Sequence, residues 1–402
     1  VAGFDLRRLA AGCALSLYVH VPFCRSKCPY CDFFSLPGCS RSLMERVLAE
    51  TTSQLECFRE WLAPSRIHTI YVGGGTPSIL PGALLRRLFS AIRSFTAGLT
   101  EENPEWSVEA NPESLNEEFL QTCTEFGITR LSLGLQSMQE NLLRRLGRPG
   151  DEAANRKALR LLEARWRGRL NLDLLAGIPG QDLGLLREDL NQAIDQRPGH
   201  ISFYALTPVA GSSLEPQIDP ELQEQLWLAG YEQLEEAGYR NYEISNFARP
   251  GEECRHNLRY WRLQPYLGVG PGAVSTLPGR AGEVYRLSNP EDLDPFLAGR
   301  TGLWGIQGEG ISPRDFLFET LMMGLRLREG VSRECFSLRF GKSIEAMIPE
   351  LWSQWQDRGL VSDLGAHYAL NDKGRLILDR LLIELGQVFE KIKLPNLDSV
   401  FR

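Results

Sequence analysis

Leu15-Ser16-Leu17-Tyr18-Val19-His20-Val21-Pro22-Phe23-Cys24-Arg25-Ser26-Lys27-Cys28-Pro29-Tyr30-Cys31-Asp32-Phe33 is the stretch from which the rest of the chain is read. Residues 15–21 alternate at period two, the pattern of a strand, and the loop that follows carries three of the nine cysteines within eight residues. Thiolates are soft ligands suited to zinc or to iron–sulfur clusters. A structural zinc wants four ligands, and no companion Cys-x2-Cys or His-x3-His pair lies elsewhere. The other cysteines, Cys13, Cys39, Cys57, Cys123, Cys254 and Cys335, are scattered, and an odd total without a secretory leader pattern fits a reducing compartment.

Outward from this loop, strands alternate with helices to about residue 250. After the first strand comes a helical run with Leu43, Val47 and Leu48, then a strand over 67–72 and a helix face of Leu84, Leu85, Leu88 and Ile92. Further strands are expected near 106–109, 130–135, 170–176 and 200–206. Six β/α units in succession imply a parallel sheet with right-handed crossovers. They are too few for an eight-fold barrel and enough for a partial one, open on one side. In such barrels the chemistry sits at the C-terminal strand ends. Each expected strand ends in something unusual: the three cysteines, Gly73-Gly74-Gly75-Thr76-Pro77, Glu109-Ala110-Asn111-Pro112, Gly134-Leu135-Gln136-Ser137, Asp173 through Ile178-Pro179, and Tyr204-Ala205-Leu206-Thr207-Pro208.

The 402 residues carry 44 Lys plus Arg against 51 Asp plus Glu, a net charge of -7 that argues against an electrostatic nucleic-acid binder. With 43% hydrophobic residues the chain is globular, and no apolar run is long enough for a transmembrane helix. The expectation is a cytoplasmic protein. Past about Gly308 the texture turns helical, over 316–327 and 344–356, followed by a short strand pair near Val361 and 367–370. Asn371 can cap a final helix to about Leu385. Three helices with a hairpin suggest a winged-helix-like module. The organisation expected is therefore a partial barrel over 1–250, a linking region over 251–307, and a winged-helix-like α+β domain over 308–402.

The spacing Cys24-x3-Cys28-x2-Cys31 after the first strand of a partial barrel resembles the radical S-adenosylmethionine (SAM) superfamily. Three cysteines on a [4Fe-4S] cluster leave one iron open, which the amino and carboxylate groups of SAM would fill. The flanking Tyr18-Val19-His20-Val21-Pro22-Phe23 and Pro29-Tyr30-Cys31-Asp32-Phe33 resemble the branch of oxygen-independent coproporphyrinogen III oxidase and the heme chaperone HemW, nearly over the full chain. The resemblance implies SAM contacts from Tyr18, Gly74, Gly75, Thr76, Glu109, Gln136, Arg148, Asp173, Ala205 and Val274. Glycine backbone at Gly74 and Gly75 permits the close approach that this needs.

Three features choose within the branch. The decarboxylating oxidase has a fourth cysteine two residues past the third, where this chain has Phe33, and an N-terminal lid for which the 23 residues before the cluster loop are too few. Cys254-Arg255-His256-Asn257-Leu258-Arg259-Tyr260-Trp261 resembles the HNxxYW motif of the chaperone branch. His256 can offer an imidazole to heme iron while Tyr260 and Trp261 lie flat on the macrocycle. The resemblance thus implies a heme chaperone that binds a [4Fe-4S] cluster, SAM and heme and passes heme to acceptor hemoproteins, with no assigned catalytic residue. Oxidative decarboxylation of coproporphyrinogen III is the enzymatic alternative in porphyrin biosynthesis, and radical chemistry would call for an electron donor such as a flavodoxin-like protein. Membrane-surface association stays open, since heme acceptors are often membrane proteins.

Overall fold

The computed structural model describes residues 5–100, 103–363 and 365–390; the outermost parts of the expected first and last domains lie outside them. Six strands form the expected parallel core: β1 Ala14–Val21, β2 Arg66–Gly74, β3 Glu105–Ala110, β4 Arg130–Gln136, β5 Arg169–Ala176 and β6 His200–Ala205, hydrogen-bonded in chain order. Their connections are α1 Arg41–Leu62, α2 Gly82–Thr96, α3 Glu117–Phe126, α4 Glu140–Arg145 with α5 Glu152–Arg165, and α6 Leu183–Asp195; α7 Pro220–Glu236 follows β6. Side-chain caps fix several of the starts. Ser40, Asn116, Asp151, Asp182 and Asp219 each accept a backbone N–H in the first turn.

Alternation along these strands sorts their side chains. Leu131, Leu133 and Leu135 of β4 are buried against the helices, while Arg130, Ser132 and Gly134 take the concave side. The main core lies between sheet and helices, around Leu17, Val19, Ile70, Val72, Phe89 and Leu172. Burial of these apolar chains is the chief force holding the layers together.

The sheet exceeds the six-strand expectation. Strands β7 Arg240–Asn241 and β8 Asn246–Ala248 add to β6 in antiparallel fashion. At the other edge β9 Tyr266–Val269 pairs parallel with β1, bringing Gly268 opposite Tyr18, and β10 Val274–Pro278, β11 Val284–Ser288 and β12 Gln307–Ile311 continue it. The sheet therefore has twelve strands in the order β12-β11-β10-β9-β1-β2-β3-β4-β5-β6-β8-β7, and its two edges do not join. Residues 251–307, expected to be a linking region, are corrected to helix α8 Arg255–Trp261 plus sheet strands. Their glycines hid this. Gly270 and Gly272 sit at φ +96° and +76°, and a Cβ at Gly268 would fall 2.1 Å from the Val274 carbonyl oxygen.

A second core gathers Phe316, Phe340, Trp352, Trp355, Tyr368 and Leu385, the module expected at the C-terminal side. It starts after β12, which belongs to the large sheet, so the 308 boundary moves a few residues along. Its helices include Pro313–Gly324, Arg333–Phe340, Pro349–Asp357 and Leu378–Phe389. Pro349 splits the expected 344–356 helix because proline begins a helix but cannot donate within one. Val331–Ser332 joins Val361–Asp363 and His367–Leu370, making three antiparallel strands where a hairpin was expected.

Candidate cofactor site

A cavity of about 770 Å3 opens at the C-terminal ends of β2 through β6 and reaches down the concave face of the sheet. Cys24, Cys28 and Cys31 line its mouth, with Gly74, Gly75, Thr76, Glu109, Gln136, Arg148, Asp173 and Ala205 around it. Eight of the ten residues expected at SAM thus face one space. Tyr18 stands one contact away, its hydroxyl 2.8 Å from His20 Nδ1. Val274 is not brought to the cavity. It opens β10 beside Gly268, outside the residues that line the cavity.

The glycine segment is shaped by its neighbours. Gly74 has φ +100°, and a Cβ there would fall 2.2 Å from the His20 ring; at Gly75 it would fall 2.6 Å from the Val21 carbonyl oxygen. A side chain would close this edge, so main chain is what it presents. At Gly73 a Cβ would meet the Glu109 carboxyl. That carboxyl is held on both oxygens: Tyr71 donates its hydroxyl at 2.7 Å and Gly74 its N–H at 2.8 Å. Burial pushes the Glu109 carboxyl up to about 7, against the lowering by these two donors and with the charge of Asp173 adding to the rise.

Asp173 is raised for the same main reason, burial, although Ser132 and Asn171 donate to it at 3.0 and 2.7 Å. The bulge between Gly134 and Gln136 puts Gln136 at φ +67° and turns its amide toward the cavity. Arg148 donates to the Gly134 carbonyl at 3.0 Å and lies 3.8 Å from Glu113, both side chains nearly buried. Burial alone would lower this guanidinium; Tyr30 and Glu113 outweigh it. The cavity therefore offers backbone donors, carboxylates and cations, with Arg25 and Lys27 at the cysteine loop and Arg148 near Gln136. That set suits a ligand with an ammonium, a carboxylate and a ribose.

The cysteine loop fits an iron–sulfur cluster. Cys24 and Cys31 are half-buried, and burial, with repulsion between the thiolates, raises both. Thiols so placed ionise when a metal supplies the compensating charge. Among the described residues no three His, Cys, Asp or Glu side chains are close enough to hold one metal ion. Three thiols in one loop match the three irons that a [4Fe-4S] cube offers when its fourth is left open, whereas a structural zinc would want a fourth protein ligand.

The HNxxYW helix is placed differently from expectation. It lies under the sheet, at the opposite end of the cavity from the cysteines. Glu105 accepts the backbone N–H groups of Arg255 and His256 at 3.0 and 2.8 Å, fixing the helix start. His256 is 1% exposed. Its Nδ1 is 2.8 Å from Thr69 Oγ1 and its Nε2 2.9 Å from the Tyr260 hydroxyl, while its ring packs on Tyr71 at 5.1 Å. Burial lowers its pKa to about 3, so the ring stays neutral. Both ring nitrogens of the expected heme ligand are thus engaged by side-chain hydroxyls at the floor of the cavity. Tyr260 shares that floor, stacked edge-on against Tyr266 at 4.5 Å. Trp261 alone of the three turns elsewhere, into a groove against the C-terminal module.

Several cavity residues were not foreseen. Asn111 donates to Thr76 at 2.9 Å, and Asn171 ties Ser132, Asp173 and Ser202 together at 2.7, 2.7 and 3.0 Å. Their signal was available in the strand alternation, which places 132, 171, 173 and 202 on the concave side.

Residues 18–193 match the model of the radical SAM superfamily, and residues 311–377 that of the HemN C-terminal domain. Heme chaperone HemW of Haemophilus influenzae is 33% identical, with 92% of this chain and 97% of that protein covered. Heme chaperone HemW of Mycobacterium tuberculosis is 32% identical over 92% and 94%. Among solved structures, coproporphyrinogen III oxidase (HemN) from Escherichia coli, a radical SAM enzyme, has the same fold, with a TM-score of 0.80 at 19% identity over 96% of this chain and 91% of that one.

Proposed function

This chain belongs to the heme chaperone HemW family of the radical SAM superfamily, and from that premise we propose that it binds a [4Fe-4S] cluster, SAM and heme and delivers heme to acceptor hemoproteins. The observation that carries the reading is the end-to-end match to heme chaperones in a chain whose cysteine loop and glycine edge share one cavity. Phe33, 61% exposed at that mouth where the decarboxylating oxidase resembled above has a fourth cysteine, supports the chaperone over the oxidase.

Cys24, Cys28 and Cys31 would ligate the cluster. Gly74 and Gly75 carry main chain to the SAM ammonium, Arg148 offers a cation for its carboxylate, and Asp173 and Gln136 offer acceptors and donors for its ribose. Reduced cluster and SAM together supply one-electron chemistry when bound. The chain's own part is to hold and shield. Tyr71 and the Gly74 N–H keep Glu109 in place, and α8 closes the lower end of the cavity against water. No helix among the described residues is long and apolar enough to cross a membrane. A cytoplasmic location and an electron donor of the flavodoxin type belong to the same proposal, as do the assigned SAM residues.

The test is an anaerobic heme titration into cluster-reconstituted protein, followed by mixing with an apo-hemoprotein. Saturable uptake and transfer are expected. Loss of carboxyl groups from coproporphyrinogen III under reducing conditions, without heme uptake, would favour the oxidase instead.

A further inference from the structure

The groups that reach a cluster sulfur set how readily the cluster accepts an electron, because hydrogen bonds to the ligands favour the more negative, reduced state. Cys24 Sγ stands 3.6 Å from Thr76 Oγ1. A sulfur that ligates iron is a thiolate and can only accept, so between these two atoms the hydroxyl is the donor. Thr76 is buried, and its N–H donates to the Phe23 carbonyl at 2.7 Å, which ties it to the residue before Cys24.

Asn111 keeps that proton on the sulfur. Its Nδ2 donates to Thr76 Oγ1 at 2.9 Å. An amide nitrogen cannot accept, so Thr76 uses a lone pair there and its single proton is left for Cys24. The other end of the amide fixes this orientation. A Cβ on Gly134 would lie 2.8 Å from Asn111 Oδ1, 3.0 Å from Gln136 Nε2 and 3.7 Å from Arg148 Nη2, so the amide oxygen faces the side where two donors stand, and its nitrogen faces the hydroxyl. Asn111 is itself anchored just past β3. Its N–H donates to Ser78 Oγ at 3.2 Å, and its carbonyl accepts from the N–H groups of Ser114 and Leu115 at 3.1 and 3.0 Å. Hydrogen bonds with a defined direction thus run from the end of β3, through the segment after β2, to the first cysteine after β1.

We propose that Asn111 is a positioning residue for the cluster potential: by donating to Thr76 it aims the Thr76 hydroxyl at Cys24, and that hydrogen bond favours the reduced cluster. The inference rests on the [4Fe-4S] reading of the cysteine loop and deepens it. Reduction adds one electron to the cluster, taken from an external one-electron donor of low potential. No bond in the chain forms or breaks, and the Thr76 proton stays on its oxygen. The added negative charge is shared with the thiolates, so an O–H aimed at one of them interacts more strongly after reduction than before. Thr76 thereby has a task apart from the SAM contact that the resemblance implies for it.

The experiment is an anaerobic redox titration of the cluster-reconstituted full chain without SAM, using dithionite and mediators, with the reduced cluster counted by its electron paramagnetic resonance signal. At the wild-type midpoint, Thr76→Val is expected to lower the ratio of reduced to oxidised cluster about fivefold, a downward shift of about 40 mV at 59 mV per tenfold for one electron. Thr76→Ser, which keeps the hydroxyl, should restore it. Asn111→Leu touches no cysteine and should lower the ratio in the same direction by a smaller factor. The Thr76→Val/Asn111→Leu pair should lie no lower than Thr76→Val alone, because Asn111 acts through that hydroxyl. Iron and sulfide per chain, matched to wild type, report an intact cluster, and where Thr76→Val does not hold one, Asn111→Leu carries the comparison. An unmoved midpoint in Asn111→Leu with a full cluster, or a double variant in which the two shifts add, would overturn the inference while leaving the cluster reading standing. A wild-type chain that takes up no cluster would overturn that reading, and the inference with it.

Discussion

Glu109→Gln should stabilise the chain above neutral pH and do nothing for it in acid. The Glu109 carboxyl is buried between Tyr71 and Gly74, and burial lifts it from an ordinary 4.5 to about 7. A carboxyl whose folded pKa lies above its unfolded value binds its proton more tightly in the folded state. Its cost is absent below about 4.5, grows as pH rises, and is complete above about 7. A rise of that size corresponds to about 3 kcal/mol. Glutamine keeps the geometry, since its carbonyl can accept from Gly74 N–H while its amide donates to the Tyr71 oxygen. The assay is urea unfolding of wild type and variant at pH 5 and pH 8. The variant should gain up to about 3 kcal/mol at pH 8, and the difference should shrink toward pH 5. Asp173, raised by the same burial, adds a slope of the same sign to both proteins, and because its charge also raises Glu109, part of the gap is the repulsion that glutamine removes. Parallel pH profiles, with no widening gap between 5 and 8, would refute the buried and uncompensated state of this carboxyl.

Three further outcomes follow from the geometry. Gly75→Ala sets a Cβ against the Val21 and Phe23 carbonyl oxygens, which are main chain and cannot yield, so SAM affinity measured by equilibrium dialysis should fall at least tenfold. His256→Ala should cost about 3 kcal/mol in denaturant stability, from a cavity plus two lost hydrogen bonds, read as a lower urea midpoint. Cys24→Ser, Cys28→Ser and Cys31→Ser together should abolish iron uptake by colorimetric assay, whereas Cys254→Ser, buried by Glu105 at the floor, should not change it.

Much of the site was legible before any fold was known. The cysteine spacing, the triple glycine and the strand-end carboxylates lie close to regular strands, and a strand's period of two dictates which side chains share a face. Gln136 was found in the same way, although the bulge that aims it was not visible. Val274 and His256, which do not line the cavity, were harder to place for a different reason. Both follow the last parallel crossover, where short strands and glycine turns carry no periodic signal.

What the sequence by itself determined is the chemistry: three thiols in one loop, donors and acids on a common rim, and a chain assembled from β/α repeats whose alternating strands bury one face against helices and leave the other for the site. What only the tertiary structure decided is which groups remain free to act. The motif histidine is legible in sequence, but its partners are not: Thr69 and Tyr260, 187 and 4 residues away along the chain, engage both ring nitrogens. Hydrogen-bond satisfaction and burial depend on distant segments meeting, so local pattern could supply the candidates but not choose among them.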